Sequence, residues 1–178
     1  IGAGGAGEKV LRELLDNPTG WPTKSSKGQF KISPRLGVSF PITVGSKLYF
    51  NYGYFYQRPN VSFLYNISVF PGGAIVPTPD LPMARTVAYE FGYEQRFLNN
   101  FLANVTMYYK DVKNEPLSRT YIDYNEEVSV SKYVADRYKD IRGIELRLEK
   151  NIGRFFTFWG SYEYMLVSTG QSGVSTVY

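Results

Sequence analysis

The chain has 178 residues, enough for one domain with a substantial core, and it contains neither cysteine nor histidine. This composition excludes disulfide scaffolds, thiol nucleophiles, imidazole bases and the usual zinc sites. The formal net charge is +4, from 20 basic and 16 acidic residues mixed along the chain. Because no basic block stands out, a nucleic-acid partner is not predicted.

Residues 1–29 predict a glycine-rich extracellular loop that carries a short helix. The apolar positions that would share one face of this helix are Val10, Leu11, Leu14 and Leu15. Gly2, Gly4 and Gly7 match the pattern G-x-G-x-x-G, which in a dinucleotide site belongs to a βαβ unit. The rest of the chain predicts antiparallel hairpins instead, so a loop is the better interpretation.

From residue 30 onward, apolar and polar residues alternate in three predicted hairpins, at 30–57, 85–113 and 138–166. A period of two places the two sets of side chains on opposite faces of a strand. Many of the 16 Tyr and 12 Phe lie at these alternate positions. Strands that cross a membrane as a β-barrel have this pattern and escape hydropathy analysis, because every second side chain is polar.

The connections between the predicted strands alternate between short and long. The short ones are 41–46, 98–101 and 150–154; the long ones are 58–84, 114–137 and the loop that starts at 167–178. Prolines in 58–84 predict that it has no regular element, whereas the weak alternation in 114–137 also fits a ribbon that extends the strands. Outer-membrane barrels have short periplasmic turns and long extracellular loops, so we predict that orientation here.

The two faces of the predicted strands differ in chemistry. The charges predicted to face the barrel lumen are Arg35, Glu90, Glu94, Arg96, Glu145, Arg147 and Glu163. The aromatic residues predicted to face lipid are Phe40, Phe50, Tyr52, Tyr54, Tyr89, Phe91, Tyr93, Tyr109, Phe158, Tyr162 and Tyr164. A soluble β-sandwich also alternates, but it rarely repeats such long aromatic strands three times.

About six strands cannot close a barrel, because the smallest outer-membrane barrels have about eight. Left open, residues 30–166 would expose two unpaired edges. The predicted fold class is therefore all-β: a transmembrane antiparallel β-barrel segment, with about six strands in three hairpins, that belongs to a larger barrel.

Three stretches resemble barrel strands of TonB-dependent outer-membrane receptors, most closely those of the Bacteroidetes type: 32–59, 86–114 and 138–165. Residues 33–37 (SPRLG), 79–94 (PDLPMARTVAYEFGYE) and 142–145 (RGIE) are similar to strand segments of that family. The chain departs at Met83 and Ala84, where the family commonly has Pro-Glu, and this difference is predicted to lie in a loop.

This resemblance implies a barrel of about 22 strands that is filled by a plug. It implies a receptor in the bacterial outer membrane that imports a scarce nutrient, of siderophore, glycan or peptide class, with energy from the TonB complex. The implied partners are outer-membrane lipid, the remainder of the barrel and its plug, the TonB complex and an unknown nutrient. The charges predicted to face the lumen would also face the plug. No cofactor, metal site or enzymatic activity is predicted.

Other interpretations remain for particular residues. Glu90 and Glu94 could be paired catalytic carboxylates of a glycosidase, but Arg96 beside them favours structural pairing. Four aromatic residues of the loops either stack on a ligand or pack the loops: Tyr65, Phe70, Tyr121 and Tyr124. The alternative function is a soluble β-sheet protein that recognises carbohydrate or protein through its aromatic face.

Overall fold

The structure is a computed structural model that describes residues 26–98, 100–123, 128–153 and 155–171. The predicted N-terminal helix, the glycine motif and Tyr124 lie outside these residues. Within the described ranges, no helix is both long and apolar enough to cross a membrane.

Strands dominate the described residues. In chain order the elements are β1 (Arg35–Thr43), β2 (Ser46–Gln57), α1 (Val61–Tyr65), β3 (Ser68–Phe70), β4 (Gly73–Val76), β5 (Ala84–Phe97), β6 (Phe101–Asp123), β7 (Val128–Lys150) and β8 (Phe158–Gln171). The eight strands form one sheet in the order β1-β2-β5-β6-β7-β4-β3, and β8 also pairs with β7.

The chain divides into two compact units. The strand unit comprises Lys31–Tyr56, Arg85–Lys113 and Arg137–Tyr178; the loop unit comprises Ile1–Phe30, Gln57–Ala84 and Asn114–Asp136.

The strand unit contains the antiparallel hairpins that the sequence predicts, and the all-β fold class is confirmed. In the central hairpin Tyr89 lies opposite Tyr109, and Glu90 lies opposite Tyr108. The first turn is shorter than predicted, because β1 continues to Thr43 and β2 begins at Ser46. The last turn is longer than predicted, because β7 ends at Lys150 and β8 begins only at Phe158.

The strand unit buries very little apolar surface. Among the described residues of the whole chain, the buried hydrophobic side chains are Leu81 and Val87, with 2% and 6% of their surface exposed. On the apolar face of the central hairpin, Phe91 and Met107 remain 46% and 50% exposed. Large contiguous apolar surfaces are rare on soluble monomers, so this face requires lipid or another partner.

The loop unit contains regular structure that the sequence analysis did not predict. The prediction that prolines exclude it from 58–84 is wrong, because α1, β3 and β4 lie there. Asn60 caps α1 by accepting a hydrogen bond from the Ser62 amide at 3.0 Å. A tight turn through Pro71 and Gly72 joins β3 to β4, and Gly72 has φ 79°. Proline followed by a glycine at positive φ is the signature of a type II turn.

Most of 114–137 is a ribbon rather than a long loop. Strand β6 continues to Asp123 and β7 starts at Val128, which agrees with the ribbon interpretation. In this ribbon Asn114 has φ 59°, a conformation that asparagine tolerates better than most residues. Strand β4 pairs with the start of β7 in parallel, with Gly73 opposite Ser129.

Candidate functional site: the two faces of the strand unit

A concavity of about 460 Å³ lies on the polar face of the strand unit. Its charged lining residues are Glu90, Glu94, Lys110, Glu145, Arg147, Glu149 and Glu163. Five of the seven charges predicted to face the lumen are among them. Carboxylates outnumber basic groups by five to two, so the concavity is acidic.

Tyr49 forms the centre of a hydrogen-bond network in this concavity. Its hydroxyl lies 2.7 Å from the hydroxyl of Thr106 and 3.3 Å from the side-chain oxygen of Asn104. Its ring covers Gly92, where a Cβ atom would lie only 2.0 Å from the Tyr49 Cζ. The Tyr49 ring therefore fills the space that is free because Gly92, on the neighbouring strand, has no side chain.

Tyr108 makes a similar arrangement on the next pair of strands. Its ring covers Gly143, and its hydroxyl donates a hydrogen bond to the Glu163 carboxylate. Glu163 lies directly opposite Glu145 in the β7–β8 ladder. Like charges at opposite positions destabilise a sheet, and the Tyr108 hydroxyl offsets part of that repulsion.

The remaining carboxylates of the concavity also have polar partners. Lys47 Nζ lies 3.1 Å from Glu94, and the Asn51 side-chain amide donates to Glu90 over 3.4 Å. Arg147 pairs with Glu149 at 2.9 Å. These contacts favour the structural interpretation of Glu90 and Glu94. Within the described ranges, no group of three or more acidic residues is placed to hold a metal ion.

The structure keeps Arg35 and Arg96 out of the main concavity. The guanidinium of Arg35 lies 4.5 Å from the centre of the Phe55 ring, in a separate concavity of about 250 Å³. Arg96 lines another one, of about 170 Å³, beside the first turn, where its amide donates to the Gly45 carbonyl at 2.6 Å.

The residues predicted to face the lumen did not include three aromatic residues on the polar face: Tyr49, Phe55 and Tyr108. Each occupies a position in the polar phase of the alternation. An aromatic residue that is out of phase, together with glycines such as Gly92 and Gly143 on neighbouring strands, is the signal that could have identified two of them.

The strand register places all eleven predicted lipid-facing aromatic residues on the opposite, apolar face. At one end of the strands a row of tyrosines crosses the sheet. The ring centres of Tyr52 and Tyr89 are 5.1 Å apart, and those of Tyr89 and Tyr109 are 6.3 Å apart. Tyr54 extends the row, since its ring centre lies 5.6 Å from that of Tyr52.

A second aromatic group lies at the other end of the strands. The ring centres of Phe97 and Phe101 are 5.4 Å apart, and those of Phe101 and Phe158 are 6.2 Å apart. Aromatic groups at both ends of the strands are typical of strands that cross a bilayer, where aromatic side chains prefer the two interfaces.

The aromatic residues that were predicted to contact a ligand lie on different elements of the loop unit. Tyr65 in α1, Phe70 in β3 and Tyr121 in β6 are each about half exposed, at 59%, 45% and 46%. The Tyr121 ring has Lys132 Nζ at 4.8 Å from its centre. The best-packed aromatic pair of this unit was not predicted: Phe63 stacks on Tyr133 with ring centres 4.0 Å apart.

Comparison with known proteins identifies the family of this chain. The family model described as "TonB dependent receptor-like, beta-barrel" matches residues 13–177. The chain therefore belongs to this family of outer-membrane receptors, as the sequence motifs suggest, and its predicted outer-membrane localisation is confirmed. Among curated protein sequences, none matches the chain significantly.

Solved structures show the same fold at low identity. The siderophore receptor PirA from Pseudomonas aeruginosa aligns with a TM-score of 0.61 and 18% identity, over 76% of this chain and 28% of that chain. The outer membrane transporter YddB from Escherichia coli aligns with a TM-score of 0.60 and 15% identity, over 78% and 20%. The copper transporter OprC aligns with a TM-score of 0.54 and 16% identity, over 76% and 20%. The chain thus spans 20% to 28% of the length of these structures.

Proposed function

We propose that this chain is part of the barrel wall of a TonB-dependent receptor that imports a scarce nutrient across the bacterial outer membrane. The observation that carries the proposal is the division of the strand unit into an exposed, aromatic apolar face and an acidic polar face. A sheet with so little buried apolar surface gains its stability by contacting lipid on one side and a polar interior on the other. The family match supports the same interpretation.

The two faces have separate roles in this proposal. The polar face lines the lumen, where the acidic concavity contacts a plug or the solute path. The apolar face contacts lipid, with its two aromatic bands at the two interfaces. The short turns after Thr43 and Phe97 are periplasmic, and the ribbon formed by β6 and β7 is extracellular.

The other partners follow from the incomplete wall. Six long strands cannot close a barrel, so β1 and β8 pair with further strands of a longer protein, in a barrel of about 22 strands. A plug and the TonB complex, which supplies energy, are the remaining partners. We propose no catalytic activity, because Glu90 and Glu94, the pair suited to glycosidase chemistry, have structural partners in Asn51 and Lys47.

The nutrient belongs to the siderophore, glycan or peptide class. The structural relatives include a siderophore receptor, which agrees with this range, and a copper transporter, which lies outside it. Tyr65, Phe70 and Tyr121 are exposed aromatic residues that are suitable for stacking on a flat chelate or a sugar ring. Assignment to the Bacteroidetes type is supported by the motifs at 33–37 and 79–94, and the genome that encodes the full reading frame tests it.

The full-length reading frame tests the main proposal. We expect its product to fractionate with outer membranes, to require detergent for solubility and to change its gel mobility on boiling. Growth on a limiting nutrient should depend both on this gene and on an intact TonB complex. Partition into the aqueous phase without detergent would overturn the proposal and favour the soluble binding protein.

A further inference from the structure

Strand β3 (Ser68–Phe70) ends the sheet in the loop unit, and no strand of the described residues pairs with its outer edge. Its inner edge pairs with β4, with Phe70 opposite Gly73 across the tight turn and Val69 opposite Ala74. Such a turn is closed by a hydrogen-bonded pair, and hydrogen-bonded and non-bonded pairs alternate along an antiparallel ladder. Val69 is therefore in a non-bonded pair, so its amide and carbonyl point away from β4, toward the free edge.

The hairpin that carries this free edge is anchored to the ribbon of β6 and β7. Strand β4 pairs with β7 in parallel, and the Ser129 amide donates to the Gly72 carbonyl at 2.9 Å. Gly73 lies so close to Ser129 that a Cβ atom there would come within 2.5 Å of the Ser129 hydroxyl oxygen. In the same unit the Phe63 ring stacks on that of Tyr133. The free edge is therefore held in position before a ligand arrives, which lowers the entropic cost of binding.

The free edge lacks most of the features that prevent a sheet from pairing with another chain. Edge strands are commonly protected by charged side chains, by proline or by bulges. Strand β3 has the sequence Ser-Val-Phe, without charge or proline, and its ladder with β4 is regular. Only its length protects it, because a strand of 3 residues gives little hold to the sheet of another protein. The edge therefore suits a short extended peptide better than a folded protein.

The chain around this edge is uncharged and exposes apolar side chains. Residues 59–76 contain no Asp, Glu, Lys or Arg. Within this segment the side chains of Tyr65, Ile67 and Phe70 are exposed. A charged chelate finds no counter-ion in this segment, whereas the apolar side chains of a peptide lose contact with water when they cover it. The chemistry of the segment therefore matches a peptide with apolar side chains.

We propose that the free edge of β3 binds an extended peptide as an added strand, and that the nutrient therefore belongs to the peptide class. This inference rests on the proposed function, which makes the protein a nutrient receptor with its long loops outside the cell. A peptide backbone presents an N–H and a C=O at the spacing that pairs with Val69, and a glycan or a metal chelate has no such repeat. Backbone hydrogen bonds tolerate many peptide sequences, and the apolar side chains near β3 add a preference for apolar residues.

The test uses the full-length receptor in detergent micelles. The probe is an acetylated and amidated hexapeptide of alternating threonine and valine, and the control peptide is its fully N-methylated form. Val69→Pro removes the outward amide, and proline is tolerated at this position because the amide makes no hydrogen bond to β4. Val69→Thr is the matched control, because it keeps the amide and the β-branched shape.

The variants should separate in their affinity for the probe. Val69→Pro should bind the probe about tenfold more weakly than the wild type, as expected for the loss of one hydrogen bond at the edge. Val69→Thr should bind the probe like the wild type. None of the three proteins should bind the N-methylated peptide, because it has no backbone donors.

Hydrogen exchange separates binding at the edge from a structural effect of proline. In the wild type the probe should slow exchange of the Val69 amide, which has no partner in the β3–β4 ladder. The Ile75 amide, which lies opposite Ser68 in that ladder, should exchange at the same rate in the wild type and in Val69→Pro. The measurement on the wild type decides the matter even if Val69→Pro disturbs the hairpin.

Equal binding of both peptides by the wild type, or unchanged exchange of the Val69 amide in the presence of the probe, would overturn the inference while the proposed function stands. Equal affinity of Val69→Pro and Val69→Thr for the probe would do the same. A full-length protein that partitions into water without detergent would overturn both.

Discussion

The ring of Tyr49 on β2 lies directly over Gly92 on β5. A Cβ atom at Gly92 would come within 2.0 Å of the Tyr49 ring, so the two positions cannot both carry side chains in this arrangement. The same ring holds its hydroxyl 2.7 Å from that of Thr106 on β6. One aromatic side chain therefore connects three adjacent strands.

Replacing Gly92 by alanine should destabilise the receptor. The new methyl group would displace the Tyr49 ring and its hydrogen bond to Thr106, at a cost of about 1–3 kcal/mol, which is typical of overpacking. Urea unfolding in detergent would measure this cost. Gly160→Ala is the matched control, because nothing lies within 4 Å of a Cβ there. In a Tyr49→Ala background Gly92→Ala should cost little, and an undiminished cost would show that the ring is not the cause.

Removing the Tyr108 hydroxyl should weaken the β6–β8 region. Tyr108→Phe leaves Glu163 facing Glu145 without its donor, and we expect a loss of about 1 kcal/mol in the free energy of unfolding. The control is Tyr162→Phe, since Tyr162 is 63% exposed on the apolar face. If Glu163→Gln restores the stability of Tyr108→Phe, repulsion between the carboxylates is the cause; if both phenylalanine variants unfold alike, the hydrogen bond contributes nothing.

An arginine at either of two adjacent positions on β7 should destabilise the barrel to very different extents. Leu146 lies on the apolar face, 44% exposed, and Glu145 lines the polar concavity. Leu146→Arg should cost about 2–4 kcal/mol in a bilayer, because it places a charge in lipid, whereas Glu145→Arg should cost about 1 kcal/mol or less. Folding yield into lipid vesicles distinguishes them. Equal yields would contradict the assignment of the two faces.

Gln29 should hold the segment before β5 in place. Its side chain donates to the Leu81 carbonyl at 3.0 Å and accepts from the Met83 amide at 3.2 Å. Gln29→Ala should speed hydrogen exchange of the Met83 amide about fivefold, the equivalent of one lost hydrogen bond. Gln57→Ala, at the end of β2, should leave that amide unchanged. Equal acceleration by both variants would mean that Gln29 has no specific role.

The strand pattern was predictable because it depends on a period of two and on side-chain chemistry. Tyr89 and Glu90 alternate in the sequence as they do on the two faces of β5. The β3–β4 hairpin has a local signal as well, since Pro71-Gly72 is a turn signature, but the density of prolines around it favours an irregular loop.

The contacts between strands were not predictable in the same way. Which residue of β5 lies beside Tyr49 depends on the relative shift of two strands, and that shift is fixed by the pairing of β2 with β5. The same holds for Tyr108 and Gly143, and for the opposition of Arg85 and Lys113.

By itself, the sequence determined the family, the strand class and the division into an apolar and a polar face, because each is encoded in local alternation and short motifs. Only the tertiary structure decided that Tyr49 and Tyr108 cover glycines, that the carboxylates form one acidic concavity, and that 58–84 adds a hairpin to β7. The physical reason is that these features depend on register between strands distant in sequence, and no local pattern encodes it.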